Sequence, residues 1–168
     1  MKKQLVALTL GFMTMASFAQ KNELKTAEKA IKKQDYNSAI AAITAAEALI
    51  DNADDKLKAK FYFLKGKTYA GKKQFKTAAA SFNKLIAFEK ETGRAKYSSD
   101  AAPILKRMVT EVSQRAITLY KSKDYRNATK DFHTTFVLSP KDTAFLFNAA
   151  LSATQAKEYE LSLSYYKK

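Results

Sequence analysis

The chain has 168 residues, of which 46% are hydrophobic and 12% aromatic, and it contains no cysteine. The lack of cysteine excludes disulfides, thiolate metal sites and cysteine nucleophiles. Four glycines and two prolines are too few for the turns of a sheet protein, so the composition predicts an all-α fold. The net charge of +14 raises the question of anionic partners.

The first twenty residues have the three-part pattern of a secretory signal peptide. Lys2 and Lys3 form a basic start, residues 5–19 are uncharged and mostly apolar, and Ser17 and Ala19 are the small residues before a cleavage site. The uncharged stretch is shorter than the roughly 20 residues needed to cross a bilayer. We therefore expect a signal peptide over residues 1–19, an exported mature chain without a membrane span, and no nucleic-acid partner.

Apolar residues recur at helical spacing through the rest of the chain and predict eight helices. Asp100 is predicted to cap the fifth helix, with Pro103 in its first turn. Residues 92–99 have the weakest pattern and are predicted to form a flexible loop. The predicted helices cover residues 22–33, 36–51, 55–71, 75–91, 100–121, 125–138, 142–156 and 159–168.

One short pattern occurs four times along the chain. Each copy is a lysine-containing turn that ends in an aromatic residue: Tyr36, Phe75, Tyr125 and Tyr159. Nine positions earlier stands a small residue: Ala27, Gly66, Ala116 and Ala150. Three positions later stands another small residue: Ala39, Ala78, Ala128 and Ser162. Seven positions later stands a bulky residue: Ile43, Phe82, Phe132 and Tyr166.

This pattern resembles the tetratricopeptide repeat (TPR). Tyr125 and Tyr159 are 34 residues apart, which is the period of that family, and Pro140 stands where its pattern has a proline. The other spacings, 39 and 50 residues, fit one period plus insertions of 5 and 16 residues. The chain is similar to the family over roughly residues 21–168.

The resemblance implies an α-solenoid of antiparallel helix pairs in residues 20–168. About four repeats are expected, with approximate bounds 20–53, 59–92, 109–142 and 143–168. The small residues would let paired helices approach closely, and the aromatic residues would fill the gap to the next pair.

The chain stops within the second helix of the fourth repeat, which leaves an aromatic pair uncovered. The last repeat is therefore predicted to be incomplete. The aromatic pair would be covered by the rest of a longer protein, by a partner or by a second copy of the chain. The chain also resembles the N-terminal part of exported TPR proteins of Bacteroidota. That resemblance implies the periplasm or cell envelope of a Gram-negative bacterium.

The sequence has no pattern typical of a catalytic, metal or cofactor site. It has no phosphate-binding glycine loop, no nucleophile elbow and no cluster of His and Cys. We interpret His133 as a packing or surface side chain. The carboxylate pairs Asp54/Asp55 and Glu89/Glu91 are interpreted as helix-start signals and solvated faces. We therefore predict a protein that is not an enzyme and needs no cofactor.

In the TPR family the first helix of each pair lines a groove that holds partner segments. Carried over by position, the groove-facing residues are Lys60, Phe63, Lys67 and Ala70 in the second unit, Thr110, Ser113, Ile117 and Tyr120 in the third, and Ala144, Phe147 and Leu151 in the fourth. Lys67 and Asn148 also resemble part of the Lys/Asn/Arg set with which some TPR proteins bind a C-terminal carboxylate, but the set is incomplete. The candidate partner-binding residues are therefore Lys60, Phe63, Lys67, Tyr120, Phe147 and Asn148. Lysines beside aromatic rings suit an extended acidic peptide.

The sequence thus predicts an exported scaffold that binds a protein or peptide partner. Two alternatives stay open: a basic envelope-associated protein that binds anionic lipid or polysaccharide, and a self-associating structural protein. The positive charge also fits solvated helix faces without a function.

Overall fold

The computed structural model describes residues 19–167, and over that range the protein consists of eight α-helices without a β-strand. The described part of α1 covers residues 19–32. The other helices are α2 Tyr36–Glu47, α3 Asp55–Gly71, α4 Phe75–Thr92, α5 Ser98–Lys121, α6 Tyr125–Leu138, α7 Ala144–Gln155 and α8 Tyr159–Tyr166. The predicted all-α class is confirmed. The signal peptide predicted over residues 1–19 lies outside the described residues, except for Ala19 in α1.

The chain folds into two compact units, whose described parts are residues 19–101 and 102–167. In the first unit, α3 packs along α4 and α2 packs along α3. In the second unit, α7 packs against both α6 and α8. Because only residues 72–74 join α3 to α4, and only residues 156–158 join α7 to α8, each of these helix pairs is antiparallel. Among the described helices, none is both long and apolar enough to cross a membrane.

The four turns that carry the repeated sequence pattern share one backbone conformation. The residue two positions before the aromatic is left-handed in every copy, with φ between 58° and 64°: Gln34, Lys73, Lys123 and Lys157. The next N–H then donates to the carbonyl five residues back, as Asp124 does to Leu119 at 2.9 Å. This is the Schellman ending of a helix, which usually places glycine in the left-handed position. The turns are therefore equivalent in structure as well as in sequence.

The small residues of the pattern lie where helices meet, and all eight are buried. Gly66 shows why size matters there. A Cβ atom on Gly66 would lie 2.4 Å from the ring of Phe82, which is itself fully buried. A Cβ on Gly71 would similarly lie 2.1 Å from the ring of Tyr36 in the preceding copy. Glycine is thus required at both positions for α3 to approach its neighbours.

The end of the second helix and the start of the seventh differ from the prediction. The second helix stops at Glu47 rather than at residue 51, and a 3-10 turn, Ile50–Asn52, follows it. Ile50 is buried in that turn, so packing rather than a local stop signal sets the end of the helix. The seventh helix begins at Ala144 instead of residue 142.

The start of α5 differs from the prediction because its cap comes from another helix. Glu89 of α4 is 2% exposed, and its carboxylate accepts hydrogen bonds from the Tyr97 N–H at 2.8 Å and the Ser98 N–H at 3.0 Å. The Ser98 hydroxyl also donates to it. The interpretation of Glu89 as a solvated carboxylate is therefore wrong. α5 begins at Ser98, so Asp100 lies in its first turn and is not its cap, and Pro103 lies further inside.

Burial and hydrogen bonding act in opposite directions on Glu89. Burial alone raises the pKa of its carboxyl group, but the hydrogen bonds from the Ser98 hydroxyl and the N–H groups of Tyr97, Lys96 and Ser98 outweigh burial and lower the pKa below its ordinary value. The carboxylate thus fastens the end of the segment that was predicted to be a flexible loop.

Candidate functional site

The second unit contains a cleft between α5 and α7 with α6 at its base. Its volume is about 210 Å³, and its lining residues are Ile117, Tyr120, Lys121, Phe132, Asn148 and Leu151. Tyr120 and Asn148, two of the predicted partner-binding residues, therefore come together in one site. We refer to this site as the cleft.

Small side chains position the walls of the cleft. Beneath it, Ala116 of α5, Ala128 of α6 and Ala149 of α7 form a buried cluster with Phe132. Because these three side chains are single methyl groups, the helices approach closely and leave the larger neighbouring residues at the surface.

An ion pair further fixes α5 against α6. The Arg115 guanidinium donates two hydrogen bonds to the Asp131 carboxylate, one of them from Nη2 to Oδ1 at 2.7 Å. The hydrogen bonds to Asp131 raise the pKa of Arg115. This two-pronged geometry limits rotation of α5, which holds Ile117 and Tyr120, against α6.

The chemistry of the cleft is an apolar surface with a polar edge. Ile117 is 45% exposed, Leu151 is half-buried, and the ring of Tyr120 stands edge-on to that of Tyr125 at 5.2 Å. The Asn148 amide supplies one donor group and one acceptor, and the exposed Lys121 supplies a positive charge. Pockets for drug-sized ligands usually hold roughly 300–1,000 Å³, so this smaller cleft suits one amino-acid side chain of a partner.

Phe147, the third predicted residue in this unit, lies beside the cleft on α7 and is 56% exposed. Its ring stands edge-on to Tyr166 of α8 at 5.8 Å. The apolar surface continues along α8. We call this surface the α8 face and define it by Phe147, Tyr159, Leu163 and Tyr166, which are 51–61% exposed.

The predicted residues of the first unit have a different environment. The Lys60 ammonium is bonded to the Glu28 carboxylate at 2.7 Å, and this hydrogen bond lowers the pKa of Glu28. Phe63 is only 9% exposed and stacks on Tyr97 with ring centroids 5.0 Å apart. The Lys67 ammonium lies 5.3 Å from the centre of the Phe63 ring. Burial therefore leaves little of Phe63 for a ligand.

The other polar residues singled out in the sequence have structural contacts. His133 is half-buried and stacks on Tyr165 at 4.9 Å, in agreement with its interpretation as a packing residue. Asp54 caps α3 by accepting a hydrogen bond from the Leu57 N–H at 2.8 Å, in agreement with its interpretation as a helix-start signal. Within residues 19–167, no three His, Cys, Asp or Glu residues lie together as metal ligands.

Comparison of the chain with protein-family models, curated proteins and solved structures gave no significant match. Its function is therefore inferred from the geometry of its own residues. Three positions that the repeat register selected, Ile117, Tyr120 and Leu151, line the cleft, whereas Thr110, Ser113 and Ala144 do not. The register did not indicate Phe132 and Lys121 as lining residues. Phe132 could have been found as the bulky residue of the third copy, which packs under the same helix pair.

Proposed function

We propose that this chain is an exported, non-catalytic scaffold of the TPR type that binds a protein partner through the cleft. The observation that carries the proposal is the convergence of Tyr120 and Asn148 with the exposed Ile117 in one cleft of single-side-chain size. Four equivalent turns and eight buried small residues support a repeat architecture. The signal-peptide pattern of residues 1–19 supports export to the periplasm or cell envelope.

In this mode, the partner inserts one apolar side chain between Ile117 and Leu151. The Asn148 amide then exchanges hydrogen bonds with the partner backbone, and Lys121 attracts carboxylates at the rim. Aromatic and aliphatic contacts in a small desolvated pocket supply most of the affinity of such interfaces, whereas rim charges contribute mainly to the rate of association. Binding through the cleft should therefore persist at high salt.

The α8 face favours self-association as a second candidate function. The bulky residue of the repeat is at most 5% exposed in the first three copies (Ile43, Phe82 and Phe132), whereas Tyr166 in the fourth is 51% exposed. Leu163, next to it on the same helix, is 56% exposed. Contiguous apolar patches of this kind often mark protein interfaces.

A capture experiment from envelope extract separates these functions. The bait is residues 20–168, compared with an Ile117→Ser/Asn148→Ala variant of the cleft and a Leu163→Glu variant of the α8 face. All three side chains are at least partly exposed, so helical circular dichroism should be unchanged. We expect one defined protein to remain bound in 1 M salt, where the Debye length is roughly 3 Å, and to be lost only with the cleft variant.

Other outcomes point elsewhere. If no bait captures a protein, and the unchanged chain forms an oligomer that only Leu163→Glu abolishes, self-association is favoured. Recovery of polyanionic material by all three baits, removed by salt, would favour the envelope-binding alternative and contradict the cleft.

A further inference from the structure

A second pocket lies in the first unit, at the end of α4 and the start of α3. Its volume is about 220 Å³, and it is lined by Asp55, Lys56, Ala59, Phe88, Thr92, Arg94, Lys96 and Tyr97. We call it the insertion pocket, because residues 93–97 belong to the stretch where the chain has 16 residues more than one repeat period. It shares no residue with the cleft, and the repeat pattern does not account for it.

The loop that closes the insertion pocket is held at both ends. Gly93 ends α4 in the left-handed conformation, with φ of 68°, and the Arg94 N–H donates to the Glu89 carbonyl at 3.1 Å. At the other end, the buried Glu89 carboxylate binds the N–H groups of Tyr97 and Ser98. Tyr97 also stacks on Phe63. The pocket is therefore a formed feature whose walls do not depend on a ligand.

The floor of the insertion pocket is apolar and its rim is cationic. Ala59 is buried, and the rings of Phe88 and Tyr97 are half-buried. Lys56, Arg94 and Lys96 are exposed around these groups, and Asp55 is the one carboxylate in the lining.

The ion pair at this rim is weak. The Arg94 and Asp55 side chains approach to 3.9 Å and are 75% and 45% exposed. Exposed pairs of this length contribute little to stability, so Arg94 can exchange Asp55 for a ligand carboxylate at small cost. The rim cations exceed the single carboxylate, which gives the pocket a net positive charge.

We propose that the insertion pocket binds an acidic peptide segment of a partner by one bulky apolar side chain, with flanking carboxylates on Lys56, Arg94 and Lys96. A volume of about 220 Å³ accommodates one aromatic or branched side chain. Lys56 lies on α3, and Arg94 and Lys96 lie in the loop. A ligand with carboxylates on both sides of its apolar group can therefore bind all three cations. A compact ligand with a single carboxylate cannot reach both segments at once.

The test is fluorescence anisotropy with the purified chain and a labelled Asp-Glu-Phe-Glu-Asp peptide, with Asp-Glu-Ala-Glu-Asp as the matched probe. The protein variants are Arg94→Glu/Lys96→Glu in the pocket and Lys25→Glu/Lys33→Glu on exposed positions outside it. Both double variants change the net charge equally. We expect the alanine probe and the pocket variant each to weaken binding at least about tenfold, and the control variant to change it less than about twofold.

A third variant, Ala59→Leu, fills the floor without changing charge and should also weaken binding. Equal weakening by both charge reversals, or equal binding of the two peptides, would mean unspecific attraction and would overturn the proposal. Loss of probe binding with Ile117→Ser/Asn148→Ala would overturn it as well, because the peptide would then occupy the cleft, while the proposed function would stand. Competition by benzoate as strong as by the peptide would assign the pocket to small anions instead.

Discussion

Phe63 and Phe147 hold the same position in two copies of the repeat, three residues before the small residue that packs against the second helix. Phe63 in the first unit is 9% exposed, and Phe147 in the second is 56% exposed. The difference comes from their neighbours. Tyr97, which the insertion adds, stacks on Phe63, whereas Phe147 only meets the edge of Tyr166. The position in the repeat therefore determines the side of the helix on which a residue lies. Contacts with segments outside the repeat determine whether that residue is exposed to a partner.

The largest expected effect is a difference in stability between these two residues. Phe63→Ala should lower the free energy of unfolding by about 3 kcal/mol or more, because it removes a buried ring and leaves a cavity. Phe147→Ala should cost less than about 1 kcal/mol, since most of its ring is already in water. Urea denaturation followed by circular dichroism measures both values. Similar costs for the two substitutions would contradict the comparison.

Removal of the charge on Glu89 tests what holds Tyr97 over Phe63. Glu89→Gln should lower the free energy of unfolding by about 1–3 kcal/mol, because the amide cannot accept all the hydrogen bonds that reach the carboxylate. Glu91→Gln is the matched control on the same helix, and its exposed side chain should make the change nearly neutral. An equal effect of the two substitutions would show that Glu89 does not cap α5.

The same carboxylate predicts a dependence on pH. The pKa of Glu89 is lower in the folded chain than the ordinary value of 4.5, so its contribution to stability is fully present above pH 4.5. It is lost as the pH falls through the lowered folded value. The stability difference between the wild type and Glu89→Gln should therefore be constant near neutral pH and shrink below pH 4.5. A difference that grows on acidification would contradict the lowered pKa.

The smallest expected effect concerns a feature that the two units share. Lys73 and Lys123 are left-handed, with φ of 58° and 64°, which is unfavourable for any residue with a Cβ atom. Lys73→Gly and Lys123→Gly should each raise the free energy of unfolding by about 0.5–1 kcal/mol. Lys72→Gly, at a right-handed position, should lower it. Opposite signs for Lys73→Gly and Lys123→Gly would break the equivalence of the turns.

Local signals were sufficient for much of the fold. α3 and α6 have the predicted bounds, because Asp54 caps the start of α3 and the lysine-containing turn before Tyr125 sets the start of α6. The end of α2 was missed because residues 48–51 contain no stop signal, and burial of Ile50 decides the outcome. The cap of α5 was missed because its acceptor, Glu89, lies nine positions before Ser98 and on another helix.

Less of the candidate site followed from the sequence. The register selected Tyr120, which lines the cleft, and Phe63, which is buried. It could not identify the cover over Phe63, because residues 93–97 have no counterpart in the repeat. For the same reason, the insertion pocket had no signal in the sequence pattern.

Site-specific photo-crosslinking tests the central claim most directly, namely that a partner binds the second unit at the cleft. The experiment is done in envelope extract at high salt. It compares a photoreactive side chain at Ile117 with the same side chain at Lys67, which holds the equivalent position of the repeat in the first unit. Our account predicts a defined crosslinked protein from position 117, lost on adding Asn148→Ala, and none from position 67. A crosslinked protein from position 67, with none from position 117, would contradict it.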